Sequence, residues 1–230
     1  MDKARIDLEV AMLHRTIWTR RRELSSDANP SPLTLIEPRL VATRLLGLEY
    51  EIRPSIGGDG SRANGAPAAG FLDRSRGIIA VSEQFSEEVR RFTVAHEIAH
   101  FLLHDWIGAK VVHRDLPPIA AGVVPRPRHE VEADYFAASM LMPQKLVTKA
   151  LAARFGAARL NADDEITSFY LASEGSKGFF EPRRDRLSFA SAIARAESFA
   201  GRRFASLAGC FGVSVRAMAI RLDELGMAQG

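Results

Sequence analysis

At 230 residues, 47% of them hydrophobic and 26% charged, the chain can bury a core that needs neither disulfide nor structural metal to fold. A net charge of +3, from 31 basic and 28 acidic residues, is too slight to argue for a nucleic-acid partner by itself. The single cysteine, Cys210, excludes an intramolecular disulfide and a thiolate metal cluster. It reads as a small buried hydrophobe in the apolar run Leu207–Phe211. The N-terminal stretch lacks the apolar run of a signal peptide, and no segment has the length of a membrane span, so a cytoplasmic protein with no membrane partner is expected.

From Asp7 to Leu24, Leu8, Met12, Leu13 and Ile17 fall at helical spacing. This segment ends in Arg20-Arg21-Arg22, cations that suit a helix C-terminus better than they make a nucleic-acid patch. After the break Asn29-Pro30-Ser31-Pro32, a short helix is expected from Pro38 to Leu46, stopped by Gly47. Leu48 to Ile56 alternates, and the Gly-, Ala- and Asn-rich stretch from Gly57 to Gly70 reads as a mobile loop. Phe71–Asp73 and Gly77–Val81 read as a hairpin turning at Arg74–Gly77, so a small antiparallel sheet is expected next. A helix then starts at Ser86, an N-cap followed by Glu87 and Glu88, and runs to about Leu103. Leu116 to Pro127 is an irregular crossover holding four prolines. A second helix spans Arg128 to Leu141, Pro143 interrupts, and a third continues to Phe155-Gly156. Residues 157–185 are polar and poorly patterned, and the tail from Leu187 is helical again. No internal repeat is present.

The first helix carries His96-Glu97-Ile98-Ala99-His100. Two histidines four apart share one helix face, separated by about 6 Å of rise, so both imidazoles can reach one tetrahedral ion. Glu97 can then address the attacking water without ligating the metal itself. Two such histidines can also be hydrogen-bonded core residues. The surrounding Val94-Ala95 and Phe101-Leu102-Leu103 favour the metal, because burying a carboxylate and two imidazoles among them is costly without compensation.

A catalytic zinc takes three protein ligands. A further histidine six residues after His100 is excluded, since Trp106 stands there and Leu103 replaces the glycine that pattern needs. His104 lies about 12 Å of rise from His96, too far to share the ion with both; it reads as a helix-end or cleft-lining residue that can assist the transition state. The second helix offers Glu130 as the third ligand, with Asp134 on the same face to orient an imidazole from behind. Ala133 and Ala137 let the two helices approach closely. Glu132 points elsewhere on a helical wheel and is the alternative ligand. Taken alone, these three acids would be a solvated face balanced by nearby arginines.

These segments resemble the ImmA/IrrE family of metallopeptidases, which has a gluzincin-like active site. The resemblance rests on Arg91-Phe92-Thr93-Val94-Ala95-His96-Glu97-Ile98-Ala99-His100-Phe101-Leu102-Leu103-His104 and on Glu130–Ala138 running into Leu141-Met142-Pro143. Gly70–Asp73, Ile78–Val81 and the C-terminal Leu207–Leu222 resemble family elements as well. The resemblance implies Zn2+ held by His96, His100 and Glu130, with Glu97 as the base. It also implies a substrate that is itself a DNA-binding repressor of the helix-turn-helix kind, cleaved to release a stress response or a mobile element. Two departures stand out. Residues from about Leu160 to Arg202 look like an insertion, and no repressor-type DNA-binding domain precedes the peptidase segment, so the target is expected to be a separate protein.

The expected fold is α+β: a mainly helical zincin-like core in residues 1–156, with the small antiparallel sheet ahead of the active-site helix. A helical region, 157–230, comes next and contains a helix-turn-helix-like segment at 203–226. There Gly212 falls in the turn and Ser214 caps the second helix. Arg202, Arg203, Arg216 and Arg221 can meet phosphates or a partner protein, but Asp223 and Glu224 on the same helix weigh against DNA. For the oxyanion stabiliser the sequence offers His104, His129 and Tyr170. Two rival readings are a transcription regulator with a structural or vestigial zinc site, and a toxin–antitoxin-type partner acting by protein binding alone.

Overall fold

The computed structural model describes residues 1–56, 68–105, 112–115, 126–172 and 186–229. The chain divides into two compact units, Met1–Leu141 and Met142–Gly230. The first opens with α1 (Lys3–Thr19), where the Asp2 carboxylate accepts the Arg5 backbone N–H at 3.1 Å. Its buried stripe is Ile6, Val10, Leu13 and Ile17. Leu8 and Met12, expected to share that stripe, are 61% and 55% exposed. Arg20 caps α1 and a short α2 (Arg21–Leu24) comes next, so the triple arginine is a helix end as read. After α3 (Pro32–Leu35), α4 (Pro38–Leu40) passes into a π-helical turn, Val41–Leu45, and the chain turns at Gly47 with φ 70°.

Four strands succeed these helices: β1 (Glu49–Arg53), β2 (Ala68–Asp73), β3 (Ile78–Ser82) and β4 (Val112–Asp115), in the order β1-β3-β2-β4. The β2–β3 hairpin turns at Gly77, with φ 66°, as its sequence requires. The sheet is nevertheless mixed rather than antiparallel, because β1 pairs parallel to β3, from Glu49 opposite Ile78 to Arg53 opposite Ser82. The chain reverses once between β1 and β2 and again between β2 and β3, so β1 lies beside the strand that runs its own way. Of the loop expected at 57–70, the last three residues belong to β2; residues 57–67 lie outside the described residues, as do 116–125 of the proline-rich crossover.

Every residue of β3 is buried, which fits a strand covered on both faces. The helix α5 (Glu87–Leu103) packs on β2 and β3, and α6 (Arg128–Leu141) packs on α5. Gly70 sets the first of these contacts: a β-carbon there would collide with the Thr93 methyl and come within 2.8 Å of the Ala80 carbonyl oxygen. Ala133 and Ala137, both wholly buried, are on the α6 side of the second. The helix α1 also lies on α6, where Tyr135 donates its hydroxyl to Asp7 at 2.9 Å and His14 Nε2 meets the Met140 carbonyl at 3.0 Å.

The second unit contains α7 (Gln144–Phe155), β5 (Leu160–Asn161), α8 (Glu165–Ala172), α9 (Arg186–Arg195), β6 (Ser198–Phe199), β7 (Arg202–Arg203), α10 (Leu207–Phe211), α11 (Val215–Glu224) and β8 (Ala228–Gln229). The helix α7 belongs to this second unit. Arg154 donates to the Ala205 carbonyl at 2.8 Å, and the Phe155 ring lies 5.1 Å from Phe199 and 5.6 Å from Phe204, so α7 packs with the β6–β7 region of the second unit. The helix α8 was hidden in the poorly patterned stretch because Ile166 and Phe169 are 66% and 68% exposed while Thr167 is buried. Gly212, with φ 58°, ends α10, and the Ser214 hydroxyl accepts the Ala217 N–H at the start of α11 at 3.1 Å. Cys210 is exposed, not buried, because α10 buries Leu207, Ala208 and Phe211. Among the described residues no helix is long and apolar enough to cross a membrane.

This packing has two testable outcomes. Gly70→Ala is expected to lower stability by about 1–3 kcal/mol in urea unfolding, since neither Thr93 nor the Ala80 backbone can withdraw freely; unchanged stability would show a looser contact. Burial holds the His14 imidazole below its ordinary pKa, against the opposing hydrogen bond to Met140. The unfolded chain therefore binds that proton more readily, and the stability present above pH ~6.5 is lost as pH falls. His14→Gln keeps a donor for Met140 but cannot titrate, so its stability should fall less than the parent's between pH 7.5 and 5; parallel curves would contradict this.

Candidate metal centre

The helix α5 places His96, Glu97 and His100 in its buried length, at 0%, 0% and 1% exposure. Glu130 comes from the first turn of α6. The two imidazole Nε2 atoms lie 3.0 Å apart. Glu130 Oε2 is 3.3 Å from His96 Nε2 and Oε1 is 3.2 Å from His100 Nε2. Among the described residues these three form the one group whose donors all lie within 4.8 Å of one another. Tetrahedral donors bonded at 2.0–2.1 Å stand about 3.3 Å apart, so the spacing fits a small ion.

The back of each imidazole is occupied. His96 donates Nδ1–H to Asp134 Oδ1 at 2.8 Å, which leaves Nε2 with its lone pair toward the donor group. Arg126 in turn holds the other oxygen of Asp134. His100 Nδ1 faces His104 Nδ1 at 3.0 Å, His104 Nε2 faces Glu132 Oε2 at 3.3 Å, and Arg128 donates Nε–H to Glu132 Oε1 at 2.8 Å. Arg74, from the β2–β3 turn, donates to the His100 and Phe101 carbonyls at 2.6 and 3.1 Å, in the last turn of α5.

Protonation suits ligation. Burial pushes the His100 pKa down to about 4, only partly opposed by Glu130, so the imidazole is neutral at pH 7. Burial alone would raise the Glu130 pKa, but the two imidazoles facing it hold the carboxyl well below its usual range. Glu132 is likewise lowered against its burial, by Arg128 and His104. A neutral imidazole and an ionised carboxylate are the forms that bind metal.

The residues expected from sequence fall into three groups. His96, His100, Glu130 and Asp134 come together, and Glu97 is buried on the same helix as the two histidines. Glu132 faces His104 and lies outside the His96–His100–Glu130 group. His104 itself is 1% exposed with its ring nitrogens facing His100 and Glu132, so it sits behind a ligand rather than over a substrate. His129 is nearby, its Nε2 3.5 Å from Glu130 Oε1 and its ring 5.9 Å from that of His100. It also lines a cavity of about 390 Å3 with Asp2, Arg5, Arg128 and Glu132. Tyr170 belongs to the second unit, where its ring lies 5.3 Å from Phe199. Arg216 is exposed on α11. Arg221 is not available for a surface contact: it is 4% exposed, donates to the Met142 carbonyl at 3.2 Å and pairs with Glu224 at 3.3 Å. Sequence reasoning missed Arg74, Arg126 and Arg128. The last two stand four residues before Glu130 and Glu132 on α6 or its approach, a spacing that does signal a pair. Arg74 carries no such signal.

If these donors hold an ion, His96→Ala and Glu130→Ala should each abolish metal retention by elemental analysis, while Asp134→Asn should weaken it by about 10–100-fold. Parent-level metal in His96→Ala would contradict the assignment.

No curated protein and no solved structure matches the chain. A family model, the IrrE N-terminal-like domain of a peptidase family, matches residues 60–176, half of the chain. That span holds the β2–β3 hairpin, both motif helices and every donor of the site. The chain therefore belongs to the IrrE N-terminal-like peptidase family.

Proposed function

We propose that the protein is a zinc-dependent metallopeptidase that cleaves a separate DNA-binding repressor in the cytoplasm, in a stress-response or mobile-element circuit. The observation that carries the catalytic half is the His96–His100–Glu130 donor group with Glu97 buried one residue along the same helix. Two imidazole nitrogens and one carboxylate suit zinc better than magnesium or calcium, which prefer oxygen donors in greater number. Bound there, zinc supplies Lewis acidity, polarising the scissile carbonyl and lowering the pKa of the attacking water toward ~7.

The protein's own groups do the rest. A Glu97 carboxylate oxygen takes the proton from the water and delivers it to the nitrogen of the leaving amine. Its burial keeps that proton from bulk solvent. Asp134 fixes the His96 tautomer by accepting from Nδ1. Of the three oxyanion candidates, His129 is the one whose imidazole borders the donor group without serving as a strut behind it.

The repressor as substrate rests on the sequence resemblance. We read the α10–α11 pair as a docking element for protein rather than a DNA reader, because the exposed positions of α11 are Arg216, Ile220 and Glu224 while Arg221 is buried. A mixed surface of this kind offers few phosphate contacts.

Glu97→Gln is the decisive variant: zinc should stay bound while turnover falls by about 10²–10⁴-fold. Zinc-loaded protein incubated with the repressor encoded beside its gene should yield one defined cut. Cleavage by Glu97→Gln at the parent rate would sink the mechanism, and an intact repressor would sink the substrate.

A further inference from the structure

The two metal-facing histidines solve one proton problem by different means. To ligate through Nε2, each must carry its proton on Nδ1 and find an acceptor for it. His96 has the Asp134 carboxylate at 2.8 Å. His100 has no carboxylate there; it has another imidazole, His104 Nδ1, at 3.0 Å.

A contact between two imidazole nitrogens can run either way. If His104 donated, the His100 proton would move to Nε2, which stands 3.0 Å from the bare Nε2 of His96 and could not bind metal. His104 would then also present a bare Nε2 to Glu132 Oε2 at 3.3 Å, an acceptor against an acceptor. If His100 donates instead, His104 carries its proton on Nε2 and gives it to Glu132, whose other oxygen is held by Arg128 at 2.8 Å. Every contact behind His100, out to Arg128, then has one donor and one acceptor. The Glu132 carboxylate, which can only accept, therefore sets the direction of the whole chain.

From this we propose that His104 and Glu132 are positioning residues for the metal: Glu132, acting through His104, holds His100 in the tautomer that presents Nε2. The backbone reinforces the link, since the His104 N–H meets the His100 carbonyl at 3.2 Å where α5 ends, with His104 out of helical conformation at φ −124° and ψ 49°. The relay rests on the metal-centre reading and extends it to two residues that touch neither metal nor substrate.

The test uses the full chain and zinc alone, by competition with a chromophoric chelator. His104→Phe keeps a ring of similar shape but no nitrogen, and should weaken zinc by about 10–100-fold. His104→Gln offers an amide oxygen to His100 and an amide N–H to Glu132, and should recover most of that loss. Glu132→Leu, which removes the acceptor, should weaken zinc to a similar degree as His104→Phe. In the cobalt-substituted protein the visible ligand-field bands should shift in His104→Phe and return in His104→Gln, a signature that packing alone would not produce. Parent affinity in both His104→Phe and Glu132→Leu overturns the relay while leaving the metal centre intact. Equal losses in His104→Phe and His104→Gln also overturn it. Failure of the parent chain to bind zinc overturns the relay and the metal centre together.

Discussion

Buried polar groups must find partners, and the contact between α5 and α6 is organised around that requirement. Three histidines of α5 and its cap meet three acids of α6 in a space almost closed to water. His96, His100 and His104 are no more than 1% exposed, and Glu130, Glu132 and Asp134 each face one or two of them. Left unpaired, any of these groups would cost several kcal/mol. Paired as they are, they leave two imidazole lone pairs and a carboxylate converging on one point. The sheet, the bare Gly70 and the alanines of α6 bring the two helices close enough for this to happen.

The arginines complete the arrangement from outside. Arg126 and Arg128 hold Asp134 and Glu132 respectively, so each carboxylate behind a histidine is itself oriented. Arg74 fixes the end of α5 through its carbonyls. Three cations thus position acids and backbone rather than reach for substrate. A surface view of the same residues would class them as ordinary charge balance.

Much of this was legible in the sequence, for identifiable reasons. The His96–His100 spacing, the Glu130–Asp134 spacing and the small residues between them are periodic features of single helices, and periodicity survives without coordinates. The hairpin and the limits of α5 and α6 were marked by Gly77, Ser86 and Pro143. Relations between elements were not legible. Glu132 sits about 160° around the wheel from Glu130 and Asp134, and nothing in α6 announces that the cap of α5 reaches it. The parallel pairing of β1 depends on which side of β3 it lies. Arg221 has the sequence context of a surface cation, yet its guanidinium lies on the Met142 carbonyl. In α8 Ile166 and Phe169 point to solvent while Thr167 and Leu171 are buried, so no apolar pattern marked the helix.

The functional reading stands or falls on whether His96, His100 and Glu130 together hold one zinc ion. X-ray absorption at the zinc edge of the purified protein examines this most directly. A low-coordinate site is expected, with two imidazole nitrogens and light-atom scattering at about 2.0–2.1 Å. A six-coordinate shell of oxygen without imidazole multiple scattering, or a protein that retains no zinc, would contradict it.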